Sequence, residues 1–204
     1  MNDFDQKAKG WDTDASKVER AARVAEGIRA LAGDLSTRSV LEVGCGTGLL
    51  GFALRTHVAR VTLADTSAGM LAVLREKITA SGLDGMTALQ HDFTEGPIPA
   101  DRYGLLCSLM TFHHIPGTDG ALRRFHALLE PGGLLCIADL DAEDGSFHGP
   151  EAPVHRGFDR EELKERLVQA GFRDIRFSTP YVIDRETAQG PRRFPVFLVV
   201  AGKP

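Results

Sequence analysis

The chain has 204 residues and a formal net charge of −4, from 24 basic and 28 acidic side chains. That length fits one domain with a sizeable core, because domains usually run to about 100–200 residues, and the mild acidity gives no electrostatic footprint for a nucleic acid. The first residues are polar and no apolar run approaches the roughly 18–20 residues that a bilayer span needs, so we expect a single cytoplasmic domain over residues 1–204 without signal peptide, membrane anchor or nucleic-acid partner.

In chain order, residues 12–35 space Val18, Ala21, Ala22, Ala25, Ile28 and Leu31 three or four apart, which predicts an amphipathic helix capped by Thr13 or Asp14. SVLEV (39–43) reads as a strand, LLGFALRTH (49–57) as a helix and RVTLAD (60–65) as a second strand, a succession that implies a parallel pair with a crossover. Helical spacing returns over 67–81, followed by strand-like MTALQHD (86–92) and YGLLCSL (103–109), a helix over 120–129 and the strand GGLLCIADLD (132–141). Such alternation predicts a doubly wound α/β sheet with helices on both faces.

The rhythm then breaks. Residues 143–158, rich in Gly, Pro and His, show neither period and are expected to be irregular, as a lid or a disordered stretch. A helix capped by Asp159 follows to about Ala170, and two strand-like segments, 172–183 and 194–202, end the chain with no helix between them. Strands joined in that way pair antiparallel. Cys45, Cys107 and Cys136 show no paired spacing, which suits reduced thiols.

The glycine turn after the first strand admits two ligands. Gly46, Gly48 and Gly51 satisfy GxGxxG, a dinucleotide pattern in which Asp65 would hold a ribose, whereas Gly44, Gly46 and Gly48 satisfy GxGxG. Glu42 separates the two, since a carboxylate beside a helix N-terminus repels a pyrophosphate but attracts the sulfonium and ammonium of S-adenosylmethionine. A solvated or capping Glu42 at the strand end is the structural alternative.

EVGCGTG (42–48) resembles the first motif of the class I S-adenosylmethionine-dependent methyltransferases, small-molecule type. Further landmarks of that family fall in order: LADTSAGML (63–71), QHDF (90–93), LLCSLMTFHHI (105–115), LEPGGLLCIAD (129–139) and an N-terminal FxxxAxxWD stretch from Phe4 to Asp12. The resemblance spans nearly the whole chain. It implies a seven-stranded, mostly parallel sheet with the last strand antiparallel, residues 1–35 as a cofactor-covering segment and helix, and residues 36–204 as the α/β core.

It also implies the cofactor site. Glu42, Gly44, Cys45, Gly46 and Gly48 would form the turn, with Cys45 a small spacer. Asp65 would accept the ribose hydroxyls, with Thr66 beside it. Met70 would pack on the adenine or face the core, Asp92 would accept from the adenine amino group, and Phe93 would flank the ring. Leu109 would open the loop on the acceptor side, and Trp11 would cover the cofactor or staple the first helix to the sheet.

Methyl transfer needs a base only for acceptors that lose a proton, and neutral histidine suits that work. His113 and His114, after the fourth strand, are the candidates, against the plainer roles of packing under the loop and capping a turn. His148 and His155 lie in the irregular segment, near Asp139 and Asp141, but no spacing matches a compact ligand motif, so no metal is expected. The expected activity is methyl transfer from S-adenosylmethionine to a small-molecule acceptor. Its rivals are an NAD-type oxidoreductase using GxGxxG and a methyltransferase-like protein that binds the cofactor without turnover. The sequence leaves the oligomeric state open.

Overall fold

A computed structural model describes residues 3–149, 152–187 and 189–204. Two residues of the expected irregular segment, 150 and 151, and the first two residues of the N-terminal segment lie outside that set.

Seven strands form one sheet: β1 (Ser39–Val43), β2 (Arg60–Asp65), β3 (Met86–Gln90), β4 (Tyr103–Leu109), β5 (Leu129–Leu140), β6 (Arg173–Thr187) and β7 (Gly190–Gly202). Their order is β3-β2-β1-β4-β5-β7-β6. The first five are mutually parallel, and β7 runs antiparallel to both β5 and β6. This is the expected doubly wound arrangement with an antiparallel end.

The helices are α1 (Asp3–Lys7), α2 (Ala15–Ala32), α3 (Leu49–Leu54), α4 (Ala68–Ser81), α5 (Thr118–Leu128) and α6 (Arg160–Gln169). Residues of α2, α3 and α4 pack on one face of the sheet around Ile28, Leu54 and Leu74, while α5 and α6 cover the other around Phe125 and Leu167. Strand residues alternate between the two clusters, Val40 and Cys107 on the first side and Leu41 and Leu106 on the second. Every residue of β1 is therefore buried, which is why its sequence reads as an apolar run apart from Ser39 and Glu42. Each large side chain buried this fully contributes about 1.5–3 kcal/mol.

Local chemistry sets the helix ends. Asp14 caps α2 by accepting from Ser16 N at 3.0 Å, Ser67 caps α4 by accepting from Met70 N at 3.1 Å, and Asp159 caps α6 by accepting from Glu161 N and Glu162 N. The inward face of α2 differs from the one expected. Ala21, Val24, Ala25 and Ile28 point inward, while Val18 is 43% exposed and Ala22 lies on the open side.

Reversal of the crossover direction between β1 and β4 leaves a crevice at the carboxyl ends of the parallel strands, where open α/β sheets place ligands. The turns after β1, β2, β4 and β5 converge there.

Candidate functional site

The turn after β1 is held by glycines that no other residue replaces cheaply. Gly44, Gly46 and Gly48 have φ of 69°, 54° and 82°, the left-handed region that costs other residues about 1–2 kcal/mol. At Gly44 a Cβ would also lie 2.1 Å from Thr111 Cγ2. Thr111 Oγ1 in turn donates to Gly44 O at 3.0 Å, so the loops after β1 and β4 are locked together at the crevice. Met110, just before it, has a φ of 52°, unusual for a residue with a side chain.

Asp65, at the end of β2, faces this turn. Its carboxylate accepts from Gly46 N at 2.7 Å and from Ser67 N at 2.8 Å. Met70 is buried with its sulfur beside Gly46, and the Trp11 indole nitrogen approaches the same spot: both lie 3.9 Å from where a Gly46 Cβ would sit. Cys45 is buried within the turn, where burial pushes its thiol well above the ordinary range, so it is a filler and not a nucleophile. Thr66 is exposed and Leu109 is half-buried at the end of β4.

Three of the expected cofactor residues sit differently from the others. Glu42 is 2% exposed and lies beneath α3, with Oε2 at 2.9 Å from where a Gly51 Cβ would be. Burial pushes its carboxyl up to about 8, against the hydrogen bond it accepts from the Gly51 N–H, with the Asp65 charge pushing further up and Lys77 pulling down. Oε2 has no hydrogen-bond partner among the described residues, as fits a protonated acid. Phe93 is 1% exposed in the second core, its ring edge-on to His91 with centroids 4.5 Å apart. Asp92 is exposed, with Oδ1 accepting from Thr94 N and Thr94 Oγ1.

The N-terminal segment closes over the turn through groups that residue spacing did not reveal. Asp5 Oδ1 accepts from Ser67 Oγ at 2.6 Å and Gly69 N at 2.9 Å. Gly69 is what allows this approach, since a Cβ there would stand 2.8 Å from Asp5 Cα. Asp12 accepts from Thr47 Oγ1 at 2.5 Å and pairs with Lys77 Nζ at 2.6 Å, while the same ammonium donates to Thr47 O. Phe4 meets Trp11 and His114 edge-on, with centroids 6.1 and 5.4 Å away. An Asp at the start of a chain carries no sequence signal for such pairing.

Across the crevice, the turn after β4 places His113 and His114. His113 is buried, and its Nδ1 lies 2.6 Å from Oδ1 of the equally buried Asp139, the β5 residue whose Oδ2 accepts from His113 N at 3.1 Å. A carboxylate on Nδ1 fixes the proton there and leaves Nε2 as the acceptor. That Nε2 is 2.9 Å from Nε2 of His148. The irregular segment therefore does fold over the site, and His155 N donates to His113 O at 2.9 Å. His114 is half-buried, and burial together with His113 and His148 pushes its imidazole down to about 4. His113 and His114 line an open cleft of about 290 Å³ with Pro116, Val154 and His155. Arg20 of α2, half-buried, has no acceptor for Nε among the described residues.

A glycine turn facing a strand-end aspartate and a histidine-lined cleft thus stand near the carboxyl ends of the parallel strands. Residues 40–133 match the family model described as a methyltransferase domain. An uncharacterized methyltransferase of Mycobacterium tuberculosis is 35% identical over 103 residues, 50% of this chain and 51% of that protein. The ubiquinone biosynthesis O-methyltransferase of Bordetella avium is 30% identical over 128 residues, 60% of this chain and 51% of that protein. The chain thus spans about half the length of these curated relatives. A crystal structure of a SAM-dependent methyltransferase from Aquifex aeolicus shares the fold, with a TM-score of 0.71, 22% identity and 98% of each chain covered. Residues 40–133 thus match a methyltransferase domain, and in motif order and sheet order the chain resembles the class I S-adenosylmethionine-dependent methyltransferases, whose fold it shares.

Proposed function

We propose that the protein binds S-adenosylmethionine in the turn after β1 and transfers its methyl group to a small-molecule acceptor held in the cleft beside His113 and His114. The observation that carries this reading is the left-handed turn Gly44–Gly48 facing the Asp65 carboxylate at the carboxyl edge of β1 and β2. Positive φ at three glycines brings bare backbone to a ligand, and a carboxylate at the end of the second strand is the acceptor a ribose needs. The residues present fit the cofactor.

When bound, S-adenosylmethionine supplies a methyl group on a cationic sulfur. This chain's residues then have four tasks. Asp65 accepts the ribose hydroxyls, exchanging the backbone donors it now holds, and Asp92 accepts from the adenine amino group through its exposed carboxylate. Cys45, Thr66 and Leu109 contribute backbone at the rim. Met70 and Trp11 exclude water above Gly46, and an aromatic face favours a nearby cation. His113 and His114 orient the acceptor from the opposite wall, with proximity and a dry site as the main sources of acceleration.

A small acceptor is favoured by the modest cleft and by the acidic net charge, and the Bordetella avium relative is named for methylation in ubiquinone biosynthesis. Calorimetric titration with S-adenosylmethionine, S-adenosylhomocysteine and NAD, followed by a labelled-methyl screen over phenols, amines, thiols and carboxylates, tests the reading. Binding of the first two without NAD, and label transfer to one class, is expected. Binding of NAD alone overturns it in favour of an oxidoreductase, and tight cofactor binding without transfer to any class overturns the catalytic part.

A further inference from the structure

The geometry points to a binding site for one first-row divalent transition metal ion, held by the imidazoles of His113, His114 and His148. A ring nitrogen from each lies within 4.8 Å of the others. The Nε2 atoms of His113 and His148 are already 2.9 Å apart. Two nitrogens each about 2.0–2.1 Å from one ion stand about 2.9–3.4 Å apart at tetrahedral to right angles, so this pair is spaced as ligands are. His114 completes the set by turning about its own χ angles, and it is only half-buried.

The surroundings are those of a metal ligand set. His113 Nδ1 is held by the buried Asp139 carboxylate at 2.6 Å, the carboxylate–imidazole arrangement that fixes a ligand's tautomer and raises its basicity. Asp139 is fixed in turn by His113 N and Leu140 N. The loop carrying His148 is also braced: Glu143 accepts from Gly145 N and Phe147 N, and Phe147 packs against Phe194 with centroids 5.1 Å apart. Two ligands thus stand on a rigid turn and the third on an anchored loop. Three imidazoles with no thiolate suit zinc, copper, iron or nickel more than magnesium or calcium.

His113 and His114 also line the cleft, so an ion on them would offer its remaining positions to a hydroxyl, thiol or carboxylate entering there. That role would replace the histidines as direct acceptor contacts, since an imidazole bound to an ion has no free lone pair. The site itself does not depend on methyl transfer.

The test is direct titration of the metal-stripped protein with Co2+ and Zn2+, following the cobalt visible spectrum and the bound stoichiometry. One ion per chain is expected, with cobalt bands in the visible. H148A and H114A should each weaken binding at least tenfold, and D139N about 10–100-fold. H148A alters an exposed residue, which keeps the comparison independent of folding. Equal affinity in H148A and wild type, or no saturable binding below about 100 µM, would overturn the site while leaving the cofactor reading untouched.

Discussion

At the scale of single residues, Asp65 carries the most. A charged acceptor's hydrogen bonds contribute about 1.5–3 kcal/mol each, so losing two to a ribose weakens binding by about 10²–10⁴-fold. We predict that Asp65→Ala does this to S-adenosylhomocysteine in calorimetry, with far-UV circular dichroism unchanged; equal affinity would remove Asp65 from the site. Gly44 tests the turn. Gly44→Ala forces a Cβ to 2.1 Å from Thr111 at a φ of 69°, and we expect about 3 kcal/mol of destabilisation in urea unfolding. Adding Thr111→Ala removes the two nearest atoms, so the double variant should be less destabilised than the two single effects combined. Additive effects would show that the two loops are not in contact. Glu42 gives a pH signature. Its folded pKa stands at about 8 against an ordinary 4.5, so the folded state keeps a proton that the unfolded state has released. Its contribution is fully present below pH 4.5 and is lost as pH rises towards 8. At one pKa unit per roughly 1.4 kcal/mol, the loss is on the order of 5 kcal/mol as an upper bound. Glu42→Gln, which has no proton to lose, should therefore be more stable than wild type at pH 8 and show a flatter profile between pH 5 and 8. Parallel profiles would mean that Glu42 is already ionised in its pocket.

At the scale of elements, the N-terminal segment is the part whose attachment is thin. It is tied to α4 by Asp5 and to α3's approach by Asp12, and the Lys77–Asp12 pair is partly solvent-exposed, at 27% and 31%. A pair of that exposure contributes at most about 1 kcal/mol. The segment can therefore open locally without unfolding the sheet, which a buried cofactor turn requires for entry and release. Asp12→Ala removes the acceptor for both Thr47 and Lys77. We expect amide exchange over residues 4–12 and 45–48 to quicken by about tenfold, while the global unfolding free energy shifts by no more than about 1 kcal/mol. If exchange there is unchanged, the aromatic contacts of Phe4 and Trp11 hold the segment without Asp12. The same logic separates β6 and β7 from the rest. Their paired strands extend to Asp184 and Arg193 and beyond the apolar segments seen in sequence, because backbone pairing is joined there by polar contacts such as Arg192 with Asp144 and Arg193 with Asp184, which carry no apolar signal.

For the whole molecule, what was readable follows burial. Strands β1, β2 and β4 are covered on both faces, so they appear as short apolar runs between glycines and polar turns, and the glycine turn with Asp65 belongs to that same local grammar. What stayed hidden depends on distance along the chain: Asp139 is 26 residues from His113 and His148 is 35, and only the sheet brings them together. The direction of Glu42 was hidden for the opposite reason, since in a strand buried on both sides alternation does not say which side faces a ligand. Val24 replaced Val18 on the inner face of α2 because helical spacing alone leaves the stripe's rotation loose. The separate loops around the crevice make one collective prediction. A ligand that binds only the folded state stabilises it by about 2.7 kcal/mol at a hundredfold excess over Kd. For a chain of this size each kcal/mol is about 2–4 °C in Tm, so S-adenosylhomocysteine at that excess should raise Tm by about 5–10 °C. NAD at equal concentration should leave it unchanged, because the Asp65 carboxylate faces the turn where its pyrophosphate would sit and already accepts from the Gly46 N–H. Equal shifts from both ligands would mean that the turn recognises the adenosine they share and that Asp65 does not discriminate between them.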